Sequence, residues 1–167
     1  MSNVIWVDEK DNILGEVTRE KAHQDGLLHR ISVIYLINEK GEILVNLRAK
    51  DAHLDHSSAG HVDVGESYLE AAKRELSEEL GVSGVDLLEI GSAAAIDIYN
   101  NFKSNHIMKI FVSRAKPVNI NHEEVTNVFW QNPNETLKDM VLNTNKYAGG
   151  FKSSIKVILD YLNKSNK

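Results

Sequence analysis

The stretch Ser57–Val82, SSAGHVDVGESYLEAAKRELSEELGV, decides how the rest of the chain is read. Its second half carries helical periodicity, opened by Ser67 as N-cap with Glu70 three residues on, the S-x-x-E capping box. Gly81 stands where a left-handed residue ends a helix. Leu69, Ala72, Leu76 and Leu80 form an apolar stripe that would dock this helix. Glu75, Glu78 and Glu79 share one arc, about 110° away from that stripe at 100° per residue. Like charges at this spacing destabilise a helix by roughly 0.2–0.5 kcal/mol per pair. Arg74 alone cannot neutralise three carboxylates. Hard divalent cations such as Mg²⁺ or Mn²⁺ can, because they favour carboxylate oxygens and complete their shell with waters and substrate phosphates. A solvated acidic face is the plain alternative, and for an isolated Glu-Glu pair it would be the better reading.

The 167 residues suit one domain, 1–167, with a real hydrophobic core. A net charge of -5 argues against a non-specific grip on nucleic acid or anionic membrane. The absence of cysteine excludes disulfides, thiolate nucleophiles and zinc–sulfur sites. The opening MSNVIWVDEKDN lacks the basic and apolar regions of a signal peptide. No run of about 18 apolar residues is present, so no membrane span is expected. The expectation is a soluble cytoplasmic protein.

Outside the glutamate stretch, VIWV and ILGEV read as an N-terminal hairpin, and TREKAHQDG as a short helix from Thr18 to Gly26. HRISVIYLIN and EILVNLRA flank EKG, a hairpin signal. VDLLEIGSAAAIDIY and HIMKIFVSRA form a second pair around the loop NNFKSN. VTNVFWQ is a further strand and NPNETLKDMVL a helix. A last helix starts near Ser153 or Ser154, with Ile155, Ile158, Leu159 and Leu162 on one face. Strands around a central helix, with more helix at the end, predict an α/β fold: a mixed sheet with helices on both faces.

Gly60, Glu66, Arg74, Glu75, Leu76, Glu78, Glu79, Gly81 and Val82 stand at every fixed position of the Nudix box. Residues 60–82 therefore resemble that motif, and the chain resembles the Nudix superfamily. The resemblance implies an α/β/α sandwich with a loop–helix–loop catalytic motif. It also implies Mg²⁺- or Mn²⁺-dependent hydrolysis of a nucleoside diphosphate linked to another moiety, or of a related organic pyrophosphate. By motif position Glu75, Glu78 and Glu79 are metal ligands and the Gly60 carbonyl another, while Glu66 and Arg74 pair to brace loop against helix. The partner implied is a small-molecule diphosphate, with no nucleic acid and no membrane, bound by a monomer or homodimer.

Most of Val4–Trp130 is similar to isopentenyl-diphosphate isomerases and their hydrolase relatives. Isomerases carry a catalytic cysteine before the box glycine, where Ala59 stands here, and glutamates on a later strand, where Ser104 and His106 fall. Their box is degenerate, whereas this one is intact. Without thiol and carboxylates there is no evident acid–base pair to move an allylic proton. Hydrolysis is the leading reading. An isomerase-like enzyme and a non-catalytic nucleotide or phosphate sensor are the alternatives.

His23, His29 and His61 match positions that bind a metal in the isomerases, which raises a second metal site. The favoured reading is structural or substrate-contacting, with His29 bonding at a strand start and His61 touching phosphate. Glu124, beside Glu123, is a candidate general base, with a surface turn equally open. Arg48 and Lys50, between a strand and the box, are candidate phosphate contacts, with a solvated strand end as the even alternative. Tyr99 lies where diadenosine-polyphosphate hydrolases of the family carry a tyrosine, and a core aromatic is the better reading. No proline stands where the ADP-ribose branch has one.

Overall fold

The computed structural model describes residues 2–99 and 102–165. β1 (Asn3–Val7) and β2 (Ile13–Thr18) form the expected N-terminal hairpin. α1 (Arg19–Asp25) follows, with the Thr18 hydroxyl accepting from the Lys21 N–H and Gly26 closing it. β3 (His29–Leu36) is the central strand, flanked by β1, by the short β6 (Ser58–His61), and by β8 (Phe102–Ser113), which runs parallel to it. β7 (Leu88–Tyr99) pairs antiparallel with β8 at the edge, completing a six-stranded mixed sheet. β5 (Leu54–Asp55), β4 (Ile43–Arg48) and β9 (Val125–Gln131) make a second sheet of three strands.

The turn after β3 forms as EKG predicts, with the Gly41 N–H on the Asn38 carbonyl. Its two strands nevertheless part after a single bridge, Ile37 to Ile43. The expected β3–β4 hairpin pairing is thus corrected. The reason is edge availability: β3 already spends its backbone on β8 and on β1 and β6, so β4 must seek partners elsewhere. Within NNFKSN, Phe102–Asn105 belong to β8 rather than to a loop, and Asn100 and Asn101 lie outside the described residues.

Alternation along β3 sorts the core into two layers. Ile31, Val33 and Tyr35 pack toward α4 (Gly149–Ser165), beside Phe151, Ile155 and Ile158. Ile34 and Leu36 pack toward α2 (Tyr68–Leu80). α3 (Pro133–Leu142), capped by Asn132, abuts α4. The result is the expected helix–sheet–helix sandwich. α4 begins at Gly149, earlier than Ser153, because Phe151 supplies an apolar anchor one turn before Ile155. Among the described residues no helix is long and apolar enough to cross a membrane.

Candidate active site

α2 is built as its caps dictate: Ser67 and Glu70 exchange both capping-box bonds, and Gly81 takes φ 66° in the left-handed region. Its docking face differs from the expected stripe. Leu69 is exposed, while Tyr68 and Ala71 are buried with Ala72, Leu76 and Leu80. That arc runs about 180° around the helix from Ala71 to Leu80, and Glu75 and Glu79 fall inside it. Two of the three glutamates therefore lie on the packed side rather than away from it. Burying Leu76 and Leu80 contributes roughly 1.5–3 kcal/mol apiece, well above the few tenths lost to each like-charge pair. The helix docks in spite of its carboxylates.

Space for Glu75 comes from Gly60 on β6, where a Cβ would collide with the Glu75 carboxyl group. Arg74 then organises the surroundings. Its Nε and Nη2 donate to Glu66 at 2.7 and 3.0 Å, its Nη1 to Glu75 at 2.6 Å and to Glu78 at 3.3 Å, and Nη2 also to the His61 carbonyl at 2.9 Å. Arg74 thus ties loop, strand and helix together. Glu78 points outward, its side chain 53% exposed, and is not part of the cleft lining.

Glu79 is treated differently. Its Oε2 accepts from the Ala59 N–H at 3.3 Å, and Ser58 lies beside it without a well-formed hydrogen bond. Burial, with the charges of Glu75, Asp55 and Glu124, pushes its pKa up to about 8. Glu75 is raised by burial as well, partly offset by Arg74. Glu66 is lowered, chiefly by the Arg74 hydrogen bonds. Among the described residues no lysine or arginine pairs with Glu79.

Both glutamates line a cleft of ≈ 920 Å³, shared with Gly60, Glu123, Glu124, Arg48, Lys50, His23, His61 and His106. Glu124 is near enough to raise the pKa of both Glu75 and Glu79. Lys50 stands at the rim, its pKa lowered by desolvation and by Arg48. Arg48 is less free than a phosphate clamp would be, since its two terminal nitrogens bind Asp51 and Asp55. Burial alone would raise the pKa of Asp55, but His56 and Arg48 outweigh it and hold the carboxyl far below the usual range. His56 in turn bonds Ser154 of α4 at 2.7 Å, and Ser154 bonds Tyr35 at 2.6 Å. The side chain of Tyr99 lies outside the described residues.

Elsewhere in the cleft wall stand His23, His61 and His106, with His29 fully buried behind them, and one nitrogen from each of the four lies within 4.8 Å of the others. His23 Nδ1 faces the Lys103 carbonyl at 3.0 Å and His29 Nδ1 the Leu27 carbonyl at 2.7 Å. Those bonds set the protons on Nδ1 and turn the Nε2 lone pairs toward the centre. His29 Nε2 and His106 Nε2 are buried without partners, and His23 Nε2 meets His61 Nε2 at 3.1 Å. Desolvation lowers all four pKa values, that of His29 to about 4. The quartet is neutral at pH 7. His106 is the member that sequence reading counted only as a missing carboxylate. Its place follows from the parallel register His29–His106, which no local pattern reveals.

Both ends fit cations by donor chemistry. Glu75 and Glu79 with the Gly60 carbonyl are hard oxygen donors, and four neutral imidazoles are borderline ones. Nudix hydrolases generally use divalent metal ions.

Comparison with known proteins agrees with this geometry. The NUDIX domain profile matches residues 27–148. An uncharacterized Nudix hydrolase of Yersinia pestis is 34% identical over 136 residues, covering 77% of this chain and 72% of its own. An isopentenyl-diphosphate Δ-isomerase of Pectobacterium atrosepticum is 25% identical over 167 residues, covering 96% and 93%. The crystal structure of DR0079 from Deinococcus radiodurans superposes with a TM-score of 0.70 at 21% identity, over 99% of both chains. With box, fold and relatives in agreement, the chain belongs to the Nudix family and is a hydrolase acting on phosphoric anhydride bonds.

Proposed function

We propose that this protein is a Mg²⁺- or Mn²⁺-dependent pyrophosphohydrolase whose substrate is a nucleoside diphosphate linked to another moiety, or a related organic pyrophosphate. The observation that carries the reading is Glu79, a carboxyl buried in a docking face, raised to about 8 and left without a protein cation. Such a group is disfavoured in the folded chain unless something outside the chain neutralises it.

Glu75 and Glu79, with the Gly60 carbonyl and Glu78 from the outer face, would hold the cation. When bound, it neutralises pyrophosphate charge and lowers the pKa of the attacking water. Glu66 positions Arg74, and Arg74 fixes Glu75 at 2.6 Å. Glu124 takes the proton from the water as it attacks phosphorus and the anhydride P–O bond breaks. Lys50, Arg48 and His61 contact the phosphates. The histidine quartet supports a second cation site, suited to a borderline transition metal, because one nitrogen from each ring already lies within 4.8 Å of the others. The same reading takes residues 1–167 as one cytoplasmic domain, monomeric or homodimeric, with no nucleic-acid or membrane partner.

The isomerase alternative is not favoured. Ala59 lines the cleft where a thiol would be needed, and Ser104 and His106 offer no carboxylate beside it. A phosphate-release screen over nucleotides, nucleotide sugars and isoprenoid diphosphates, with and without Mg²⁺, tests the proposal. Mg²⁺-dependent release from one class supports it. Release that is indifferent to EDTA, or interconversion of isopentenyl and dimethylallyl diphosphate, would overturn it.

A further inference from the structure

The cleft wall opposite α2 contains a buried amide whose oxygen has no partner in the protein. Asn46 and Arg48 lie two residues apart on β4, so both face the same side of the small sheet, about 7 Å apart along the strand. Asp55, the cross-strand partner of Asn46, shares that face. All three line the cleft, and Asp55 is close enough to Glu79 to raise its pKa. The face therefore looks toward the carboxylate end.

Arg48 is held rigidly by Asp55 and Asp51, which leaves its Nε buried and without a partner. Asn46 is 4% exposed, its Oδ1 is buried without a partner, and its side chain makes no hydrogen bond among the described residues. An unpaired buried amide destabilises the fold. The neighbouring strand positions Leu44 and Val45 are aliphatic and fully buried, so packing alone does not call for an amide here. With no protein partner to fix it, the carboxamide can turn its NH₂ to an incoming group.

We infer that Asn46 is a substrate-recognition residue, donating its amide N–H to a phosphoryl oxygen of a diphosphate lying between this wall and Glu75 and Glu79. This rests on the proposed Mg²⁺-dependent organic-pyrophosphate reading. This donor, on a wall where Arg48's charge is already balanced by two carboxylates, selects an anion by a hydrogen bond more than by net charge. A neutral donor at position 46 adds no further negative charge to a wall that already holds Asp55.

The test uses imidodiphosphate, a non-hydrolysable diphosphate, with Mg²⁺, measured by calorimetry on the full chain together with metal-free melting temperatures. Asn46→Leu should melt at the native temperature or above, because an unpaired polar group has gone, yet bind the probe ~10-fold or more weakly, the worth of a hydrogen bond to a charged group. Asn46→Asp keeps an acceptor and loses the donors, so it should bind at least as weakly. With the substrate from the screen, KM should rise ~10-fold while kcat stays within about threefold. Asn46→Ala gives the same readings where leucine is not accommodated. Unchanged affinity in the leucine or alanine variant, or a lower melting temperature with affinity intact, assigns Asn46 to the scaffold and overturns the inference. Full affinity in the aspartate variant overturns the donor role. If the native protein does not bind the probe while Asn46→Leu folds normally, the proposed Mg²⁺-dependent organic-pyrophosphate reading fails and the inference falls with it.

Discussion

The two ends of the cleft solve the same problem with opposite chemistry. At one end Glu75, Glu79 and Glu124 are negative groups brought together. At the other, four histidines are groups that turn positive on protonation. Desolvation pushes Glu75 and Glu79 up and the four histidines down, each toward its neutral form. The histidine nitrogens already converge within 4.8 Å, because neutral rings do not repel and backbone carbonyls hold two of them. No such convergence is reached by the carboxylates among the described residues, and Arg74 holds Glu75 in the meantime. A cation entering the glutamate end must therefore displace a proton, whereas one entering the histidine end need not.

The largest expected effect breaks the glutamate end. Glu79→Gln should leave the fold intact by circular dichroism and lower kcat at least ~10²-fold, because a charged cation ligand is lost from a site that works by charge neutralisation. Unchanged turnover at saturating Mg²⁺ would remove Glu79 from that role.

Next comes the histidine end. Zn²⁺ or Co²⁺ at a hundredfold excess over Kd should stabilise the fold by about 2.7 kcal/mol, read as a rise in melting temperature. His23→Ala should abolish that rise and Glu79→Gln should keep it. The reverse pattern would place the transition metal among the glutamates.

The pH dependence is a smaller effect. In EDTA the folded Glu79 carboxyl has a pKa of about 8, above its ordinary value of 4.5 in the unfolded chain. The unfolded chain ionises first, so the native state binds more protons between those values. Stability from this group is complete below pH 4.5 and is lost as pH rises through about 8. Chemical denaturation across this window should show the decline, and Glu79→Gln should flatten it. An identical profile in the variant would contradict the burial of this charge. The smallest expected effect is none at all. Ala59→Cys should give no interconversion of isopentenyl and dimethylallyl diphosphate, because Ser104 and His106 still stand where carboxylates are needed, and product analysis by chromatography would check it.

Much of this was legible in the sequence, and the failures have physical causes. Helix caps read well because they are local: Thr18, Ser67 and Gly81 each act on backbone a few residues away. The Glu66–Arg74 brace was likewise carried by motif spacing. The docking face of α2 was misread because a wheel built on leucines counts Leu69 in and Glu75 out. Tyr68 and Ala71 shift the buried arc and draw two glutamates into it. His106 and Asn46 were invisible for another reason. Each acquires its meaning from strand pairing across long sequence separations, His29 with His106 and Asn46 with Val128.

The most direct test of the central claim, that the buried glutamates exist to hold a cation, is the proton count of Mg²⁺ binding. Calorimetry at pH 7 in buffers of different ionisation enthalpy gives that number for the native protein, Glu79→Gln and His23→Ala. The native protein and His23→Ala should each release close to one proton per Mg²⁺ bound, as expected for a carboxyl with a pKa of about 8 that must ionise to coordinate. Glu79→Gln should bind more weakly and release none. Equal Mg²⁺ affinity and equal proton release in Glu79→Gln would contradict the claim.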